Sequence, residues 1–80
     1  MTPEKVIEVM EMYCERVQRP EELMAPDAAD KILDMLPRMR EFAKDPTKTE
    51  KLMRWLGFAQ GVLWAEGVYK LEELKDHNRS

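Results

Sequence analysis

Cysteine, histidine and glycine are all scarce in this chain, with one, one and three among 80 residues. The single cysteine, Cys14, excludes an internal disulfide and a cluster of thiolate metal ligands, and we expect a buried structural thiol. The single histidine, His77, leaves too few ligands for a zinc site and is expected to cap a helix end or face solvent. The glycines are too far apart for a phosphate-binding loop. We therefore expect no enzyme activity, no metal and no cofactor.

Long apolar runs are missing as well. The most apolar stretch is short and is interrupted by Arg54, Gln60 and Glu66, so we expect no membrane span. The N-terminus is acidic and has no apolar segment typical of a signal peptide. Together with the lone cysteine, these features favour a cytoplasmic location.

Apolar residues recur instead at helical spacing, which predicts an all-α fold: a small three-helix bundle with a short C-terminal fourth helix. The predicted single domain, 1–80, has helices at about 3–18, 27–44, 48–66 and 71–77. Pro37 lies inside the second helix, but the apolar pattern stays in register across it. We therefore predict one helix with a kink at Pro37 rather than two helices.

The third helix together with its two end residues, Thr47 to Gly67, contains both tryptophans and all three glycines. Thr47 is its expected N-cap, with Glu50 completing a capping box, and Gly67 is its expected C-terminal stop. Its buried face is predicted to contain Leu52, Trp55, Leu56, Ala59, Val62 and Leu63. We expect this helix to be central and shielded from solvent on two sides.

A second face of the third helix is a candidate interface, formed by Met53, Gly57, Gln60, Gly61 and Trp64. Each glycine inside a helix costs roughly 1 kcal/mol relative to alanine. Two glycines four residues apart therefore indicate that another helix approaches closely. That helix belongs either to the same monomer or to a second copy or partner. Met12 is a further candidate for an exposed interface residue.

Charge is distributed unevenly along the chain. The first helix is predicted to have an acidic stripe, either a solvated face or a docking surface for a basic partner, at Glu4, Glu8, Glu11 and Glu15. A candidate basic patch follows, at Arg38, Arg40, Lys44, Lys48, Lys51 and Arg54. This patch is the basis for an alternative function, a nucleic-acid-associated regulator.

The C-terminal part of the chain contains the segments WLGF, QGVL, GVY and ELKDHNR in that order. In this pattern, residues 50–79 resemble small uncharacterised proteins encoded by tailed bacteriophages. The resemblance implies a phage product acting in the host bacterial cytoplasm. It implies no activity and assigns no functional residues.

The leading hypothesis is a non-enzymatic protein–protein interaction module. A chain of this length buries a modest core, and oligomerisation commonly compensates for that. We therefore expect a homodimer that acts by binding a host or phage protein whose identity the sequence does not reveal.

Overall fold

The computed structural model describes residues 1–18 and 24–79, and this part of the chain folds into four α-helices and one 3-10 turn. They are α1 (Pro3–Val17), α2 (Pro26–Ala43), the turn (Pro46–Lys48), α3 (Thr49–Ala65) and α4 (Leu71–His77). The predicted all-α class and helix order are confirmed. Most of the segment between α1 and α2, for which the sequence indicates a short helical turn, lies outside the described residues.

The three long helices pack against one another around one apolar core. Their buried side chains recur at the predicted spacing, and burying each one contributes roughly 1.5–3 kcal/mol. The largest fully buried side chains are Tyr13, Met10, Ile32, Met39, Leu52, Leu63, Val6 and Val17.

Polar contacts satisfy backbone N–H groups at two helix ends, and one of these contacts joins α2 to α3. Thr2 caps α1, since its hydroxyl accepts a hydrogen bond from Lys5 N at 3.2 Å. The backbone N–H of Ala25, just before α2, donates to a carboxylate oxygen of Glu66 at 2.8 Å, just after α3. The start of α2 therefore meets the end of α3, and these two helices run antiparallel.

Pro37 lies inside α2, which continues through it as a single helix. The prediction of one helix rather than two is confirmed. The missing N–H of Pro37 removes one backbone hydrogen bond and favours a local bend, and the kink itself stays a prediction.

The start of α3 differs from the prediction. Asp45 accepts hydrogen bonds from Thr47 N at 2.9 Å and from the Thr47 hydroxyl at 2.7 Å, which lower the pKa of the Asp45 carboxyl. These bonds hold Thr47 in the 3-10 turn. The helix then begins at Thr49, with Lys48 at the N-cap and no side-chain cap. The predicted capping box of Thr47 with Glu50 is wrong for this reason.

Gly67 ends α3 as predicted, with a φ of 75°. The N–H of Val68 donates to Leu63 O at 2.9 Å and that of Gly67 to Trp64 O at 3.0 Å, the bonding pattern of a Schellman motif. Because a Cβ is disfavoured at positive φ, Gly67→Ala should lower the free energy of unfolding by about 1–2 kcal/mol. Urea denaturation tests this, and an unchanged midpoint would contradict it.

Within the described part of the chain α3 is shielded on one side, and shielding of its other side by a second copy stays a prediction. Trp55 is partly buried, with its ring 4.9 Å from that of Phe42 in an edge-to-face contact. Trp64, on the other side of the helix, is 57% exposed. One face of α3 is therefore buried against the bundle, and the opposite face is open.

Candidate interaction surfaces

The open side of α3 is defined here as the outer face, formed by Gly57, Phe58, Gly61 and Trp64. The two glycines and Trp64 are spaced four and three residues apart, so they lie on one side of the helix. Phe58, 53% exposed, borders the glycines on the other flank. A Cβ added at Gly57 or Gly61 would meet no atom of residues 1–18 and 24–79 within 4 Å. Of the two alternatives for this glycine pair, close packing against the described part of the monomer is therefore wrong.

A shallow groove of about 190 Å³ joins the outer face to α4. Gly61 and Trp64 line it from α3, and Leu71 lines it from α4. Leu71 is 52% exposed. Two large apolar side chains, Trp64 and Leu71, are therefore exposed on either side of Gly61, where the helix surface is bare backbone.

The remaining interface candidates lie elsewhere. Met53 is partly buried and packs against the core. Met12 is exposed, but it belongs to α1. Gln60 is placed on the interface by the sequence, whereas the structure buries it. Its carboxamide is occupied by hydrogen bonds within the chain.

Those bonds form a polar network between three helices. Nε2 of Gln60 donates to the Tyr13 hydroxyl oxygen at 3.0 Å and to Oδ1 of Asn78 at 2.7 Å. Nδ2 of Asn78 donates back to Oε1 of Gln60 at 3.1 Å. Every polar atom of the Gln60 carboxamide therefore has a partner, as burial of an amide requires.

The network continues to His77. The Tyr13 hydroxyl lies 2.8 Å from Nδ1 of His77. Because that hydroxyl accepts from Gln60, its hydrogen is available to donate to His77. The rings of Tyr13, Tyr69 and His77 also lie against one another, with centroids 5.0–5.5 Å apart. His77 is thus half-buried and helps hold α4 on the bundle, a contact that the prediction did not include, while it lies in the last turn of α4 as expected.

Burial governs the two titratable groups of α1 that enter the core. It raises the pKa of Tyr13 to about 12, against an opposing effect of the Gln60 hydrogen bond. It also raises the pKa of the Cys14 thiol, whose sulfur lies 3.7 Å from Ile32 O. Cys14 is buried, as predicted for a structural thiol.

The acidic stripe of α1 is exposed along its length. Its one ion pair within the described residues joins Glu11 to Arg40 of α2, at 2.9 Å. Exposed pairs of this kind contribute roughly 0–1 kcal/mol. The stripe remains a candidate docking surface for a basic partner.

The predicted basic patch is divided by the fold. Arg38 and Arg40 are two residues apart on α2, so their side chains leave the helix in nearly opposite directions. Arg40 turns toward α1, and Lys44 pairs with Glu41 at 3.0 Å. The basic residues on and just before α3, Lys48, Lys51 and Arg54, lie beside the aromatic rings of Phe42 and Trp55 and do not form one flat basic surface.

Residues 1–18 and 24–79 contain no group of three or more His, Cys, Asp or Glu side chains placed to hold a metal ion. Nor do any of their helices have the length and apolar character needed to cross a membrane. Comparison of the chain with protein-family models, with curated proteins and with solved structures gives no match.

Sequence reasoning missed Phe58 and Leu71 as surface residues. Phe58 has a recognisable signal, since it falls between Leu56 and Ala59 and outside the buried stripe. The burial of Gln60 also has a recognisable signal, since Gln60 lies four residues after Leu56 and therefore in line with buried positions. Leu71 has no such signal, because its exposure depends on where α4 docks.

Proposed function

We propose that this protein is a non-enzymatic interaction module that forms a homodimer and acts by binding another protein. The observation that carries the proposal is the outer face of α3, where two uncovered glycines lie between exposed Phe58 and Trp64. Contiguous exposed apolar surface on a small domain is typical of a protein-binding site. Aromatic side chains are also enriched among residues that dominate binding energies.

A second copy fits this face by symmetry. A two-fold interface requires one patch to complement itself. If two α3 helices cross antiparallel between Gly57 and Gly61, each glycine lies opposite the other glycine of the second copy. The backbones can then approach closely, and the flanking aromatic rings cover the crossing. The small size of the chain supports the same conclusion, since a dimer adds buried apolar area.

Size-exclusion chromatography with light scattering tests the dimer. We expect a mass of twice 9.5 kDa at micromolar concentration, falling toward 9.5 kDa on dilution. A species of 9.5 kDa at every concentration would exclude the homodimer.

The resemblance to small phage proteins favours a host or phage protein as the further partner, in the bacterial cytoplasm. Affinity capture from a bacterial lysate, with wild type and Trp64→Ala compared in parallel, tests this part. A protein captured equally by both supports a further partner bound on a surface other than the dimer interface. A protein lost with Trp64→Ala would show instead that the partner and the second copy compete for the outer face, and capture of no protein would contradict a further partner.

A further inference from the structure

A second groove lies on the α2 side of α3 and differs from the outer face in its charge. It has a volume of about 340 Å³, and its apolar lining consists of Met35, Trp55 and Phe58. Lys31 of α2 and Arg54 of α3 complete the lining, and no carboxylate takes part. A cavity of this size is at the lower end of the roughly 300–1,000 Å³ of small-molecule sites, and it suits one or two side chains of a partner.

Two more cations extend this arrangement along the same edges. Arg38 is exposed and follows Met35 by three residues, which places it on the same side of α2. Nζ of Lys51 lies 4.9 Å from the centroid of the Phe42 ring, and Phe42 in turn contacts Trp55. Cations therefore lie along both helices that border the apolar floor.

These four cations have no acidic counterpart in the described part of the chain. Lys31, Arg38, Lys51 and Arg54 form no ion pair with any carboxylate there. Asp34 and Glu50 are exposed and lie four residues before Arg38 and Arg54, but neither forms an ion pair with them or lines the groove. The groove thus combines an apolar floor with a rim of one charge.

We propose that this groove binds an acidic amphipathic helix of a partner protein. Apolar residues of that helix would enter between Met35, Trp55 and Phe58, and its flanking carboxylates would pair with the rim cations. This is the helix-in-groove mode of recognition, with charge complementarity selecting the partner. The proposal rests on the proposed function and names a partner chemistry for it.

Two other occupants fit less well. The acidic helix of this chain, α1, has its apolar side chains buried in its own bundle, so its carboxylate stripe offers no apolar anchor row. A nucleic acid would satisfy the cations, but binding through phosphates leaves an apolar groove between helices unfilled.

Selection from a displayed library of random peptides of about four helical turns tests the proposal. We expect the selected sequences to contain Asp and Glu together with apolar residues at helical spacing. A resynthesised peptide should bind wild type, with affinity falling as salt is raised. Phe58→Ala and Arg54→Glu should each weaken that binding by about tenfold or more.

Matched variants separate this groove from the rest of the surface. Trp64→Ala removes an exposed aromatic from the other flank of the outer face, and Lys70→Glu reverses an exposed charge at the N-cap of α4. Both should leave the peptide affinity within about twofold of wild type. Phe58 belongs to both the outer face and this groove, so light scattering on every variant reports assembly separately from peptide binding. Arg54→Glu tests the groove without changing a residue of the outer face, and a failed peptide experiment leaves the dimer test intact.

Several results would overturn the proposal. They are selection of basic peptides, selection of peptides without a helical pattern of apolar residues, and failure to select any peptide. A peptide affinity that is unchanged in Phe58→Ala and Arg54→Glu would also overturn it. Binding of a DNA duplex or single strand that competes with the peptide and is lost in Arg54→Glu would assign the groove to nucleic acid instead.

Discussion

Gly61→Leu is expected to separate the proposed dimer into monomers without unfolding them. No atom of the described residues lies within 4 Å of a Cβ at this position in the monomer, so the larger side chain extends into solvent. Replacing a glycine inside a helix should even raise the free energy of unfolding of the monomer, by up to about 1 kcal/mol. At the proposed helix crossing, the same side chain holds the two backbones apart, and the dimer dissociation constant should rise about tenfold to a hundredfold.

The opposite signs of these two effects make the experiment decisive. Light scattering over a concentration series reports the dimer, and urea denaturation at low concentration reports the monomer. Asp30→Leu is the matched control, because it adds the same side chain to an exposed position of α2. If Gly61→Leu dimerises as well as wild type, the outer face of α3 is not the interface.

Tyr13→Phe is expected to lower the free energy of unfolding by about 1–3 kcal/mol. The ring stays, so the packing of this fully buried side chain is preserved. What is lost is the hydroxyl that accepts from Gln60 and lies against His77. For a domain whose total stability is about 4–12 kcal/mol, this is a large fraction. Amide hydrogen exchange should show the largest loss of protection in α4.

Tyr69→Phe is the control for this variant. Tyr69 contacts the same His77 ring, but its hydroxyl forms no hydrogen bond with any residue the structure describes. Its loss should therefore change the free energy of unfolding by less than about 0.5 kcal/mol. Equal effects of the two variants would show that the hydroxyl of Tyr13 contributes nothing particular.

The same pair of variants gives a prediction for alkaline pH. The pKa of Tyr13 is about 12 in the folded chain and 10.0 in its ordinary state, so the folded chain holds this proton more tightly. That contribution to stability is complete below pH 10 and is lost as pH rises toward 12. Burial also raises the pKa of Tyr69, though by less. Tyr13→Phe should therefore show a shallower loss of stability over this window than Tyr69→Phe, measured by urea denaturation at each pH. Parallel curves would contradict the assignment.

The helices and their buried stripes could be read from the sequence because the relevant signals are local. Apolar spacing, the cap at Thr2 and the stop at Gly67 each depend on a few consecutive residues. The start of α3 was harder to assign, since Thr47 is a good cap by type. In the structure the Thr47 hydroxyl donates to Asp45 and therefore does not cap α3. A pattern of residue types does not show which of these two hydrogen bonds forms.

The polar network and the surfaces could be predicted less well, for a different reason. Gln60 meets partners 18 and 47 residues away, and Tyr13 and His77 are 64 apart. No periodic pattern reports pairs at such separations. The spacing of the glycine pair indicates a close helix approach, but it does not distinguish a neighbour within the chain from a second copy.

The network also couples the last helix to the unfolded fraction of the whole chain. Loss of the Asn78 and His77 side chains would remove the partner that Gln60 has at the end of α4 and one neighbour of Tyr13. A buried amide left without a partner costs about 1–3 kcal/mol, which increases the unfolded fraction about fivefold or more. Unfolded chains are the ones that quality-control proteases degrade. Substitutions at these two positions would thus shorten the half-life of the chain.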